Sequence, residues 1–272
     1  MQSKWRRRSI RSAAPTRIIS ETRTIKAGEK RIVLGAHHPR AVAAETVSHD
    51  TLYRLLTWFS PAYPIGAFSH SSGIEWAVEA GDVTSAETLR AWLGSMLNCG
   101  AGINDGIFFS QIHRAVGRDD AAAMVEIAEL AAAFAPTRER HLETTTLGRA
   151  FMEVTQTAWP CAALTKLVAL WRGSIAYPVA AGAACAGHRI PLAPALHAFL
   201  TAMCANWISA GVRLIPLGHT DGQCVLSALE PAVAASTNRA LAARLDDLAS
   251  ATIRADIASA RHETQYTRLF RS

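Results

Sequence analysis

The chain has 272 residues, half of them hydrophobic and under a fifth charged, enough to bury a large core in one helical domain or two small ones. Its formal charge of +6 is concentrated at one end: residues 1–48 hold eleven Lys/Arg against three Glu, and the remainder carries 17 basic and 19 acidic groups. The basic character therefore belongs to a leader and argues against a nucleic-acid role for the globular part.

Residues 1–48 show no sustained apolar period and are expected to be a disordered basic leader. The Arg- and Ser-rich start, free of acids, superficially matches a transit peptide, but it has no apolar core of the secretory kind. A second reading places the true start further on, near Val42, Val47 or Leu52. From Thr51 onward the period is helical. A first helix over 51–59 is ended by Pro61 and Pro64, which lack N–H donors and bias Ser60 and Tyr63 towards extended backbone. Gly66 permits the corner, and Ser69 or a neighbouring serine is expected to cap the next helix, which carries Ile74, Trp76, Ala77 and Val78.

Leu89, Trp92, Leu93, Met96 and Leu97 mark one face of a third helix, for which Thr84 and Glu87 form a candidate capping box. Met124, Ile127, Ala131 and Phe134 make another stripe, opened by Asp119 and Asp120 and stopped near Pro136. Leu164, Leu167, Val168 and Trp171 predict a further helix, and Leu196 to Leu214 a longer one. Leu192 to Val212 is 21 residues without Asp, Glu, Lys or Arg, yet Pro194, His197, Asn206 and Ser209 favour a buried bundle helix over a membrane span. Leu241, Leu245 and Leu248 suggest a late helix. No convincing period-2 strands occur, so the expectation is an all-α, single-domain bundle of about nine or ten helices over 49–260, with a polar tail at 261–272.

The densest candidate for chemistry is "SPAYPIGAFSHSSGIEW", residues 60–76, where Ser69, His70, Ser71 and Ser72 adjoin. Adjacent Ser69 and His70 on a helix point about 100° apart, and no strand precedes them, so no nucleophile elbow is formed. The histidines are dispersed and no C-x-x-C pair occurs among the five cysteines, so neither a catalytic nor a metal-ligand set can be assembled locally. P-loop and dinucleotide fingerprints are also missing from the sequence. The cysteine pattern fits a reducing cytosol.

The same corner carries a family resemblance. Ser60, Pro61, Pro64, Gly66, Phe68, Ser71, Gly73 and Glu75 fall on a pattern similar to the signature of the urease accessory protein UreF family, with Ile74 for its leucine and His70 where an aromatic is commoner. "RHLETTTLGRAFM" resembles a second family segment through Glu143, Thr144, Gly148 and Arg149. "SAGVRLIPLGHTDGQ" resembles a third through Arg213, Gly218 and Gln223, with His219 at a position where glutamine is common, and "RHETQYTRLFRS" resembles the family's C-terminal tail. The resemblance implies an all-α, cytoplasmic homodimer without catalytic, cofactor or metal residues of its own. It implies binding to UreD (also called UreH), recruitment of the GTPase UreG and docking on apo-urease, with nickel handled by the assembled complex. Arg261, Tyr266, Arg268, Leu269, Phe270 and Arg271 of the tail are then the candidate partner-binding residues, arginine and aromatic anchors being typical of interface hot spots. A tail this polar is expected to be poorly held by its own core, so that deleting 261–272 would leave the fold and abolish UreD binding. The alternative role is regulation of GTP hydrolysis by UreG through an arginine offered in trans, with Arg149, Arg213 or Arg268 as candidates.

Overall fold

The computed structural model describes residues 47–272, so the expected basic leader, apart from Val47 and Ser48, lies outside the described residues. Among the described residues every regular element is helical, with eleven α-helices and two single 3₁₀ turns. The fold is all-α, as the periodicity implies.

Helix α1, His49–Trp58, starts where the Ser48 hydroxyl accepts the Thr51 amide, and it gives way to the two-proline corner. Within that corner Gly66 and Gly73 both take left-handed backbone, at φ +77° and +80°, around a 3₁₀ turn at Ala67–Ser69. Gly73 is the residue before α2, Ile74–Glu79, so the expected serine cap is absent. The reason is that Ser71 and Ser72 turn their hydroxyls to the tail and to α6 instead. Helix α3, Ala86–Cys99, is capped by Ser85 with Thr88, one residue later than Thr84 with Glu87. Thr88 Oγ1 accepts from the amides of both Thr84 and Ser85 at 2.9 Å and displaces Glu87 from that job.

Helix α4, Ala101–Gly117, follows immediately after Gly100. Asp120 caps α5, Ala121–Ala133, and Thr137 caps α6, Arg138–Ala158. Then come α7, Ala162–Leu170; α8, Tyr177–Gly187, with Pro178 in its first turn; α9, Leu192–Leu214; α10, His219–Ala242; and α11, Ile253–His262. Leu241 closes α10, but Leu245 and Leu248 are not on a continuing helix. Gln111 Nε2 donates to the Ala243 carbonyl, Arg114 donates to that of Leu241, and Asp247 accepts the Arg244 amide, so the chain is turned after Ala243.

Helices α4 and α8 cross closely at the centre. A Cβ on Gly182 would lie 2.7 Å from the Phe109 carbonyl, so glycine is what permits that approach. Helix α9 is long and apolar enough to span a membrane, but half of its most apolar window is buried and it packs against α2, α3, α4, α8 and α10. The core joins Trp58, Phe109, Phe151, Phe199 and Trp207. Phe109 and Tyr177 both lie against Phe199, with ring centroids 5.0 and 5.2 Å away.

Candidate partner-binding site: the tail on its own corner

The two most distant sequence motifs, the proline–glycine corner and the C-terminal tail, meet on one surface. Gly73 makes the meeting possible: its missing Cβ would stand 2.7 Å from the Ser259 amide nitrogen and 2.8 Å from Ser259 Cα in α11. Helix α11 buries little apolar surface, Ala258 being its one buried hydrophobic residue. What holds it are polar groups.

Glu75 of α2 is the centre of that attachment. Its carboxylate is buried and accepts from His262 Nε2 at 2.9 Å, from the Leu269 amide at 2.6 Å and from the Phe270 amide at 3.0 Å. His262 is fully buried, and its other ring nitrogen faces Glu139 Oε2 of α6 at 3.5 Å. Glu139 in turn takes Arg268 Nη1 at 3.1 Å. The last residues run back along the corner: the Arg271 amide donates to the Ser69 carbonyl, and the Ser71 amide and hydroxyl both donate to the Ser272 carbonyl. His70 sits beneath them, 2.7 Å from the Ser272 hydroxyl. Burial holds the His70 imidazole below its ordinary pKa, against the pull of Glu143 and with the help of Arg271 and Arg140.

A second buried set lies behind the first. Ser72, strained at φ +53°, donates to Glu143 and receives the indole N–H of Trp207 at 2.9 Å. Glu143 also holds Arg140 at 2.9 Å, and Arg140 reaches on to Asp105 of α4 at 3.4 Å. Burial raises the Asp105 carboxyl to about 6, although Arg140 opposes it. Burial works against the charged Arg140 guanidinium, yet Glu143 and Asp105 together keep its pKa above the ordinary value.

The tail residues named from sequence divide into two classes. Phe270 is 4% exposed and lies under the Arg213 guanidinium, 4.2 Å from its ring centroid. Tyr266 is fully exposed and Leu269 is 75% exposed, although the Leu269 amide is held by Glu75. Arg261, Arg268 and Arg271 are all exposed, Arg268 with its guanidinium on Glu139. The tail is thus well attached to its own core, contrary to the expectation from its polarity, because the buried carboxylates of Glu75 and Glu139 supply the partners that apolar packing does not.

The signature residues serve different ends. Pro61 and Pro64 are exposed and Phe68 is 67% exposed, whereas Ser71, Gly73 and Glu75 are buried under the tail. Arg213 bonds the Phe68 carbonyl at 2.6 Å, which ties α9 to the corner. Gly148 lies where a Cβ would stand 2.0 Å from the Ile175 carbonyl, so it is a packing residue between α6 and the entry to α8. Arg149 points outward on α6, 4.0 Å from an equally exposed Glu153. Gly218 opens α10, its amide on Asp221, and both His219 and Gln223 are exposed there. Sequence reading did not assign roles to Asp105, Glu139, Arg140, His262 or Trp207. The Glu139–Arg140–Glu143 run looks like an ordinary solvated helix face until α11 covers it. Among the described residues no group of three or more His, Cys, Asp or Glu is placed to hold a metal ion.

This geometry is that of a helical scaffold presenting a fixed surface segment, with its buried charges spent on positioning. The comparisons agree on the family: the UreF family model matches residues 83–230. "Urease accessory protein UreF" of Rhodopseudomonas palustris strain HaA2 is 62% identical over 222 residues, covering 82% of this chain and 94% of that protein. The protein of the same description from Bradyrhizobium sp. strain ORS 278 is 60% identical over 221 residues, 81% of this chain and 92% of the relative. The chain belongs to the UreF family of urease accessory proteins, and its relatives are described as accessory proteins rather than as enzymes.

Proposed function

We propose that the chain acts as a nickel-insertion co-chaperone: with UreD/UreH it recruits the GTPase UreG to apo-urease, as a cytoplasmic homodimer, and the assembled complex handles the nickel. The observation that carries the partner role is the tail. Tyr266 and Leu269 project from a segment whose backbone is already tied to Glu75, so their apolar surface is offered with little ordering cost left to meet. Tyrosine is a residue type enriched among interface anchors, and Leu269 adds a further exposed apolar side chain to the same segment.

The test follows from the division of the tail into inward and outward residues. A Tyr266→Ala/Leu269→Ala double variant touches the outward ones alone and should keep its helical circular dichroism. It should lose co-purification with UreD. Undiminished co-purification would overturn the reading. Deleting 261–272 is a poorer test, since it also removes buried His262, Phe270 and Ser272.

A second reading, regulation of UreG, is favoured by one arginine in particular. Arg213 is engaged with Phe68 and Phe270, and Arg268 with Glu139, whereas Arg149 has only a long, exposed pairing with Glu153. Arg149 is therefore the candidate to be offered in trans. Single-turnover GTP hydrolysis by UreG in the assembled complex should slow with Arg149→Ala, and an unchanged rate would dismiss this role.

A further inference from the structure

Two cavities flank the buried Asp105–Arg140 pair. One, of about 150 Å³, lies under α11 against Met96, Phe108 and Phe134, with Asp256 at its edge. The other, of about 160 Å³, lies under the proline–glycine corner and is walled by Trp58, Phe59, Tyr63, Tyr177 and Trp207. Asp105, Arg140 and Thr144 line both, so these side chains form the common wall. The wall is unevenly built. On the α6 side Arg140 Nη1 is 2.9 Å from Glu143 Oε2, a strong charge-assisted contact. On the α4 side Nη2 reaches Asp105 Oδ2 only at 3.4 Å, and among the described residues no other side-chain or backbone donor bonds to that carboxylate.

We propose that Asp105 and Arg140 form a proton-operated partition: with Asp105 ionised the guanidinium is stretched across the common wall, and with Asp105 neutral it draws back onto Glu143 and joins the two cavities. The attraction across the wall is the charge on Asp105. Removing that charge leaves Arg140 a carboxylate at 2.9 Å on one side and a weak neutral acceptor on the other. The groups facing the pair from each packed element are consistent with this. From α6 comes Glu143; from α11 comes Asp256, whose charge also favours the ionised guanidinium. The corner contributes the Ser72 hydroxyl at 3.4 Å from Nη1, and His70; α8 contributes Tyr177, whose phenol burial keeps protonated; the tail contributes Arg271, which bears on His70. Asp105 is the member of the set raised into the range a cell or a buffer can reach from neutrality, at about 6.

The joined space would accept a longer apolar guest than either half. A cavity of about 150 Å³ takes one benzene ring, so benzene and biphenyl serve as short and long probes. Affinity for each is measured by calorimetry at pH 8 and pH 5 on the full chain and on Asp105→Asn. Neutral Asp105 rises from about 1% to about 90% of molecules between these values, so biphenyl should bind up to about ninetyfold more tightly at pH 5, and benzene nearly equally at both. Asp105→Asn should bind biphenyl with the low-pH affinity at both. Biphenyl affinity that ignores pH in the natural chain overturns the proposal, whether or not the variant folds. So does a pH dependence that survives in Asp105→Asn, since that would assign the effect to His70 or another group.

Discussion

Gly73→Ala isolates the contact on which the tail site rests. Alanine at φ +80° costs about 1–2 kcal/mol in backbone strain alone. Gly66 offers the control, since it has nearly the same φ of +77° and open space where a Cβ would stand. At Gly73 the added carbon meets backbone of α11 at 2.7 and 2.8 Å, and relief requires α11 to retreat by roughly 0.7 Å to reach ordinary contact. That motion stretches the Thr137–Ser259 hydroxyl bond, now 2.7 Å, and draws His262 off Glu75. A neutral hydrogen bond contributes about 0.5–1.5 kcal/mol and one to a charged group about 1.5–3 kcal/mol. Local stability of α11 and the tail should therefore fall by about 3 kcal/mol or more beyond the Gly66→Ala control, which is a hundredfold in the opening equilibrium. Native-state hydrogen exchange of the Leu269 and Phe270 amides, both held by Glu75, reads this directly. If those amides exchange within twofold of each other in Gly73→Ala and Gly66→Ala, the assignment of Gly73 as the seat of α11 is wrong.

Gly148→Ala should destabilise the whole fold rather than the tail, because its Cβ would press to 2.0 Å on the Ile175 carbonyl, which is backbone and cannot swing away. A drop of about 1–3 kcal/mol or more in urea denaturation is expected, with exchange at Leu269 no more affected than exchange in the core. Asp105→Asn should act oppositely, and with a definite sign. A carboxyl raised from 3.8 to about 6 binds its proton more tightly in the folded chain, so ionising it costs stability. The cost is absent below about pH 4 and complete above about pH 6. The variant should therefore gain on the natural chain as pH rises, by up to about 3 kcal/mol at pH 8, less what Arg140 loses, and show no gain at pH 4. Urea midpoints at the two pH values check it.

The helices were legible in the sequence where one face repeats, as with Leu89, Leu93, Met96 and Leu97 of α3. Element ends were less so. A threonine outcompeted a glutamate at the start of α3, and side chains from α4 captured the carbonyls at the end of α10, a partnership 127 or more residues apart. Gly66 was readable as a conformational necessity of the corner, whereas the meaning of Gly73 depends on Ser259, 186 positions away. The tail was legible as an interface candidate by residue type and not by attachment. Nothing local distinguishes Phe270, which is buried, from Leu269, which is not; the register is set by Glu75 accepting two successive amides.

That register explains why the attachment is polar. An apolar strip can slide along another with little change in buried area, and a tail held so would leave its outward residues undefined. Glu75 takes His262 and two adjacent backbone amides at once, and a shift of one residue would break these bonds in a buried site, where an unmade hydrogen bond costs most. Glu139 fixes Arg268 and faces His262, so the helix and the segment after it are referenced to the same two acids. The buried charges contribute less to overall stability than their number suggests, because each also carries a desolvation cost. Their effect is to determine which side of the tail Tyr266 and Leu269 occupy. On this argument Glu75→Gln, which keeps one acceptor oxygen for the Leu269 amide but turns an NH2 donor towards His262 and the Phe270 amide, should loosen α11 and Phe270 more than it loosens the backbone of Leu269. Exchange protection lost equally along 253–272 would mean that the tail is held as one block and that the acid does not set its register.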